Sequence, residues 1–355
     1  MRIAFYLNLQ GAGHCRRFEA IARHFPADCE LAVVGMDNCP PITDIGRAVR
    51  KVAVPGFAPA CENAFLQQQT AFDYHGLAVN HGGNSAFTLA MVSFLSEWQP
   101  DLLVVDVGLE ASILARMCGI PTVYSRQHGR RWDKGHTLAY DWACGLLAPF
   151  AAPMEQTDCP QWVREKTFYS GGFCRFSGHG QSFLSKTLDG PQDYAQDKPN
   201  VLVMTGFGGT NITGSAIAQS AASNPQWRWH LLGDYPNLSN IVVHGIVEDV
   251  WPYLYHADLV IANAGHNSTM EIAAAGTASV CIPAERYFDE QICKAQVLAR
   301  LKLSVVVDRW PDADKWLGIW QQAQALKADW SGLQDEDAPQ RAAQYLVETA
   351  RKCRG

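Results

Sequence analysis

No stretch of this chain of 355 residues approaches the roughly 20 consecutive apolar residues that a membrane-spanning helix needs. The opening MRIAFYLNLQGAGH is apolar too briefly for a signal peptide and carries no cleavage pattern. No Lys/Arg block or basic arm occurs, and 35 acidic against 29 basic residues leave a net charge of −6. Nucleic acid is therefore not expected as a partner. The 11 cysteines include no C-x-x-C pair and no Cys/His cluster at zinc spacing. Such a scattered, odd set reads as buried, reduced thiols of a cytoplasmic protein. A peripheral contact with the inner face of a membrane stays open. Low-complexity tracts and short-period repeats are also missing.

Hydrophobic residues make up 48 % of the chain and charged residues 18 %, the balance of a globular protein. At about 150 residues per domain, the length suggests two domains. RIAFYLNL reads as a buried strand that runs into the turn QGAGH, and RRFEAIARHF has helical spacing. ELAVVG and LLVVDVG read as strands, EASILARMCGI as a helix and PTVYS as a further strand. The theme then restarts. VLVMTGFGGT, WRWHLLG, IVVHGIV, DLVIANAG and ASVCIPA read as strands, and DVWPYLYHA and STMEIAAAG as helices. Alternating strands and helices predict an α/β chain with parallel sheets covered on both faces. The expected division is residues 1–179 as an N-terminal domain and 180–199 as a polar Gly/Pro linker. Residues 200–335 follow as a C-terminal domain, and 336–355 as a terminal helix packing back towards the N-terminal domain.

The most informative stretch lies around residues 258–291. A buried strand ends at Asn263, and Ala264, Gly265, His266, Asn267 and Ser268 lead into a helix. The carboxyl end of a parallel strand is where open α/β sheets bind ligands. A helix start there offers free N–H groups and about half a positive charge, which suits a diphosphate. Gly265 lets the backbone approach closely, and Asn267 and Ser268 add side-chain donors. The alternative is ordinary capping, since Ser268 and Glu271 have capping-box spacing.

The run N-A-G-H-N-S-T-M-E resembles the H-C-G-W-N-S-x-x-E core of nucleotide-diphosphate-sugar glycosyltransferases. The longer GIVEDVWPYLYHADLVIANAGHNSTMEIAAAG is similar to the donor domain of the MurG-like peptidoglycan N-acetylglucosaminyltransferases. The resemblance implies the GT-B fold, two Rossmann-like doubly wound domains facing a cleft. It also implies a UDP-sugar as co-substrate, with no cofactor. Carried over, Gly265, His266, Asn267 and Ser268 hold the diphosphate and Glu271 grips the ribose hydroxyls. Asp289, Glu290 and Gln291 read the sugar, and Val247 lies near the base edge. Asn263 stands where the plant-type motif has its first His, so the base is less determined than the diphosphate. The turn T-G-F-G-G-T resembles the family's first C-domain loop, beside the phosphates, which adds Thr205, Gly206, Gly208 and Gly209. No G-K-[ST] follows it, so it is not a P-loop.

In the N-terminal half, Q-G-A-G-H-x-x-R resembles the acceptor-side loop of GT-B enzymes. This implies His14 as general base, Gly13 beside the donor and Arg17 on the acceptor side. Asp106, ending LLVVD, would orient the base as a triad carboxylate does. The alternative for Asp106 is a cap on the helix after Gly108. Arg126, Gln127 and His128, at the next strand end, are expected to face the acceptor or close over the donor, or else to form a solvated loop. Asp133 and Asp141 do not form the D-x-D of metal-dependent transferases, and no metal is expected. The reaction implied is inverting transfer from a nucleotide-sugar donor to a small-molecule, glycan or lipid-linked acceptor. A hydrolase of the pseudaminic-acid-pathway type, whose loop is also G-x-G-H-x-x-R, and a non-catalytic sugar-nucleotide binder remain alternatives.

Overall fold

The chain's short, continuously apolar runs become the strands of two parallel sheets. The structure, a computed structural model, describes residues 1–7, 13–36, 42, 45–56, 82–177, 191, 193–194, 197–206 and 209–354. Gly208 and most of the expected 180–199 linker lie outside the described residues.

One unit comprises Met1–Pro149, Asp158–Ser170 and Asp337–Gly355. Its strands are β1 (Arg2–Leu7), β2 (Glu30–Met36), β3 (Val49–Val54), β4 (Leu102–Asp106), β5 (Thr122–Ser125), β6 (Gly145–Ala148) and β7 (Thr167–Tyr169). They form a parallel sheet in the order β3-β2-β1-β4-β5-β6-β7. β4, LLVVD, is buried at every position, as expected of a strand covered on both faces. The crossovers include α1 (Gly13–Ala22), α2 (Gly82–Trp98), α3 (Leu109–Met117), α4 (Lys134–Trp142) and α5 (Gln161–Lys166). Strand order reverses between β1 and β4, where Leu7 pairs with Asp106. That reversal is the switch point at which such sheets bind ligands.

The other unit comprises Phe150–Thr157 and Gly171–Glu336. β8 (Asn200–Met204), β9 (Arg228–Leu232), β10 (Ile241–Gly245), β11 (Leu259–Ala262), β12 (Ser279–Cys281) and β13 (Val305–Val306) pair in parallel. Their order is β10-β9-β8-β11-β12-β13, with the switch point between β8 and β11. Around them lie α6 (Gly214–Ser223), α7 (Trp251–His256), α8 (His266–Ala275), α9 (Glu290–Arg300) and α10 (Trp316–Leu326). This core is tryptophan-rich, and one hydroxyl serves two of its indoles. Ser220 Oγ accepts from both Trp310 Nε1 at 2.9 Å and Trp316 Nε1 at 3.0 Å.

The division differs from a boundary at 179. Residues 150–157 pack into the second unit, where Arg300 Nη2 donates to the carbonyls of Pro153 and Glu155, both at 2.9 Å. The second unit also takes in the chain from Gly171, whose neighbour Gly172 donates to the Leu333 carbonyl at 2.8 Å. The last helix, α11 (Ala338–Arg354), lies in the first unit. There Tyr345 stacks on Phe168 at 4.3 Å, and Arg354 pairs with Asp101. Arg351, Lys352 and Arg354 in its last turn favour the negative end of the helix.

Candidate active site

In the first unit, β4 and α1 bring together residues 92 positions apart in the chain. His14 Nδ1 lies 3.0 Å from Asp106 Oδ2. Arg17, one turn along α1, donates through Nη2 to both Asp106 oxygens at 2.7 and 2.8 Å, and through Nε at 3.2 Å. Burial alone would raise the Asp106 carboxyl. The Arg17 guanidinium, and after it His14, outweigh burial and hold the carboxyl well below the usual carboxylate range. His14 Nδ1 stands between two partners, Asp106 Oδ2 at 3.0 Å, which can only accept, and Arg17 Nη2 at 3.1 Å, which can only donate. With its proton on Nδ1 and directed to the carboxylate, Nε2 presents its lone pair. The turn that aims Asp106 is tight. Val107 has φ 70° and Gly108 φ 147°, and a side chain at 108 would stand 2.6 Å from the Tyr6 ring. The cap of α3 is Gly108, with no side-chain bond, so Asp106 does not cap it.

Two expectations for the acceptor side need correction. Arg17 is buried and turned onto Asp106, which makes it the carboxylate's partner rather than an acceptor contact. The segment after β5 is not a solvated loop either. Arg126 is fully buried, with Trp132 against its guanidinium and Thr167 Oγ1 at 3.3 Å. His128 is buried too, and its carbonyl accepts from Arg131. Gln127, half-buried, accepts from Arg131 Nη2 at 2.9 Å.

In the second unit, β11 delivers Asn263 and Ala264 to the start of α8. Gly265 is the N-cap and makes no side-chain bond. Its φ of −64° suits any residue, and a Cβ there would meet only Ser268 Oγ at 3.9 Å. Glycine at this point leaves room over the first turn of the helix. His266, Asn267 and Ser268 form that turn and are half-buried. The capping-box alternative is excluded, because Ser268 is the third helical residue and Glu271 the sixth. Glu271, buried, instead pairs with Arg175 Nε at 2.9 Å. Arg175 also donates to the Glu248 carbonyl at 2.9 Å and lies over the Phe176 ring.

The remaining expected donor residues divide by how far the protein already engages them. Gln291 is buried, and its Oε1 accepts from the backbone N–H of both Ala264 at 3.1 Å and Ala284 at 2.9 Å. That bond pair ties the α8 turn to the loop after β12 and leaves only the Gln291 amide nitrogen for a ligand. Asp289 and Glu290 are half-buried at the head of α9. Thr205 donates its backbone N–H to the Leu232 carbonyl at 3.1 Å. Gly206 has open space where a side chain would stand. The Gly209 carbonyl accepts from Arg286 Nη2 at 2.6 Å. Val247 packs against the core cluster that holds Leu232 and Leu254. Sequence reasoning passed over Arg175 and the buried Lys294. The signal for Lys294 was one cation within the apolar face of EQICKAQVLAR.

Two D-x-D spellings do occur, at Asp312–Asp314 and Asp335–Asp337. Asp312 is exposed and binds Lys315 Nζ at 2.7 Å. Among the described residues, no group of three or more His, Cys, Asp or Glu could hold a metal ion. Among the same residues, no helix is long and apolar enough to cross a membrane.

Two parallel α/β units, each with a glycine-led helix start beside its switch point, give the chain the GT-B architecture. Its sequence similarity to a glycosyltransferase domain and to an N-acetylglucosamine transferase makes it a glycosyltransferase. Residues 210–311 match the glycosyltransferase family 28 C-terminal domain. The chain is 25 % identical over 294 residues to a transferase of Haemophilus ducreyi, covering 74 % of this chain and 77 % of that one. Its name is UDP-N-acetylglucosamine--N-acetylmuramyl-(pentapeptide) pyrophosphoryl-undecaprenol N-acetylglucosamine transferase. The fold is similar to that of the kitacinnamycin glycotransferase, with TM-score 0.69 and 15 % identity over 98 % of both chains. It is also similar to that of a spinosyn rhamnosyltransferase complexed with thymidine diphosphate. There the TM-score is 0.60 at 14 % identity, over 99 % of this chain and 96 % of the other.

Proposed function

We propose that this glycosyltransferase inverts the anomeric centre of a UDP-sugar and needs no metal to do so. The observation that carries the reading is the His14–Asp106 contact, with Asp106 held ionised by Arg17. His14 Nε2 takes the proton of the acceptor hydroxyl as that oxygen attacks C1 of the donor sugar, and the bond from C1 to the diphosphate oxygen breaks. One displacement inverts the centre. Asp106 orients the imidazole and stabilises the imidazolium. The N–H groups opening α8, with Asn267 and Ser268, stabilise the departing diphosphate, a preorganised effect worth several kcal/mol in enzymes. Glu271 accepts from the ribose hydroxyls. Asp289, Glu290 and the Gln291 amide meet the sugar, and a pyrimidine base lies towards Val247. The acceptor is a small molecule, a glycan or a lipid-linked sugar.

The test is a thermal-shift titration with UDP, and with thymidine diphosphate beside it, in the presence of a chelator. A ligand at about 100 times its dissociation constant stabilises the fold by about 2.7 kcal/mol. A UDP shift in chelator is expected. A shift that needs added magnesium or manganese would refute the metal-free reading, and a preference for thymidine diphosphate would reassign the base.

A further inference from the structure

Lys294 is 2 % exposed. An ammonium buried so deeply demands partners able to accept its hydrogen bonds. Its Nζ lies 3.3 Å from Nδ1 of His266, the first residue of α8. Its charge also reaches the Cys281 thiol at the end of β12. A neutral residue would pack the inner face of α9 at lower cost, so the charge calls for a role.

We propose that Lys294 is a positioning residue of the donor site, fixing His266 as the neutral tautomer protonated at Nε2 and supplying through it a permanent positive charge to the α8 start. This rests on the reading of that turn as the diphosphate site. An ammonium has three donors and no acceptor. The contact at Nδ1 therefore requires the imidazole lone pair there, and the ring proton goes to Nε2. A second proton on Nδ1 would meet the ammonium head-on. The α8 start thus carries a constant charge and a fixed donor, and it does not titrate with the imidazole. Other titratable groups on the elements packed here are Glu271 on α8, paired with Arg175, and Asp289 and Glu290 at the head of α9. His256 closes α7, which packs on α8. The Cys281 thiol is pushed up to about 12 by burial and stays neutral.

The experiment is calorimetry of UDP binding to the full chain without metal, for wild type and Lys294→Met, between about pH 6 and pH 8. The ratio of the two affinities cancels the titration of UDP itself. Lys294→Met is expected to bind about tenfold more weakly at the alkaline end, the size of one charge interaction in a half-screened site. The deficit should shrink towards the acid end, because His266, relieved of the ammonium, takes up a proton. Adding His266→Asn to Lys294→Met should abolish that recovery. Equal affinities at the alkaline end, or a deficit independent of pH, would overturn the proposal, since a merely structural lysine produces no pH-dependent recovery. Nitrogen NMR of wild type, assigned against His266→Gln, makes the same test without the lysine variant. Nδ1 of His266 should remain unprotonated throughout, and a protonated Nδ1 at neutral pH overturns the proposal. Failure of wild type to bind any nucleoside diphosphate would sink the donor-site reading instead, with the nitrogen spectrum still deciding the tautomer.

Discussion

Two strands of this chain, β1 and β11, lead to the same dipeptide at a helix start: Gly13-His14 opens α1, and Gly265-His266 stands at the head of α8. The two imidazoles keep different company. His14 Nδ1 meets the Asp106 carboxylate at 3.0 Å, with Arg17 Nη2 at 3.1 Å beside it, whereas His266 Nδ1 meets the Lys294 ammonium at 3.3 Å. A carboxylate draws the ring proton to Nδ1 and leaves Nε2 able to accept a proton. An ammonium takes the Nδ1 lone pair and leaves Nε2–H as a donor. One backbone device therefore provides a candidate base in one unit and a candidate anion contact in the other. The Asp106 carboxylate, delivered to His14 Nδ1 by β4, separates the two.

The comparison is tested most severely where the charges are buried. Asp106→Ala leaves Arg17 buried without its carboxylate, and breaking such a pair costs about 3–5 kcal/mol. Denaturant unfolding is expected to show a loss of that size, and a loss under about 1 kcal/mol would mean that the pair is solvated. His14→Ala removes no buried charge. Its fold should hold and its UDP affinity should stay near that of wild type, while turnover falls about a hundredfold or more. Adding Asp106→Asn to His14→Ala should cost little further, because the carboxylate acts through the imidazole. Full turnover in His14→Ala would erase the distinction between the two histidines.

A smaller effect is expected at Glu271, whose carboxylate is shared between Arg175 and, in our reading, the ribose. Glu271→Ala should weaken UDP binding by about 1.5–3 kcal/mol, the range for hydrogen bonds to a charged group. Wild type should prefer UDP over 2′-deoxy-UDP, and the variant should largely lose the preference. The cycle between side chain and hydroxyl isolates their coupling. A coupling near zero would leave Glu271 as the partner of Arg175 alone.

The frame of the fold was readable because β1, β4, β8 and β11 are unbroken apolar runs that end at or near glycines. β6, GLLA, and β13, two valines, are too short to carry a period of their own. α2, GGNSAFTLAMVSFLSEW, has no polar stripe to mark it as a helix. At the site, the helix start of α8 was legible from strand, glycine and polar residues in order. The role of Glu271 was ambiguous because capping-box spacing also occurs inside a helix, and only the cap at Gly265 decides. Arg126 and His128 lie at a strand end, as read, but burial turns them inward, and no local pattern encodes that. The link from His14 to Asp106 depends on β1 and β4 being neighbours, a consequence of topology.

The smallest effect expected separates the units by the direction in which pH acts on each. In the first unit, burial pushes the Glu110 carboxyl, in the opening turn of α3, up to about 7. The unfolded chain loses that proton near the ordinary value of about 4.3, so the contribution to stability is present below that value and is lost as pH rises towards 7. In the second unit, burial, and after it His244, lowers His230 to about 3. Its Nε2–H donates to Asn200 Oδ1 at 3.1 Å, and its Nδ1 faces His244 Nε2 at 3.1 Å, so neither nitrogen has room for a further proton. The unfolded imidazole protonates near 6.5, so this contribution is present above that value and is lost as pH falls towards 3. From about pH 7 to pH 5 each amounts to about 2 kcal/mol, with opposite sign, at about 1.4 kcal/mol per pH unit lying between a group's folded and unfolded values. Wild type therefore conceals both. Compared with wild type over that interval, Glu110→Gln should lose about 2 kcal/mol more on acidification, and His230→Gln about 2 kcal/mol less. Urea unfolding at the two pH values measures this directly. Identical slopes in the three proteins would mean that neither group is held away from its solution protonation, and that pH does not set the two units apart.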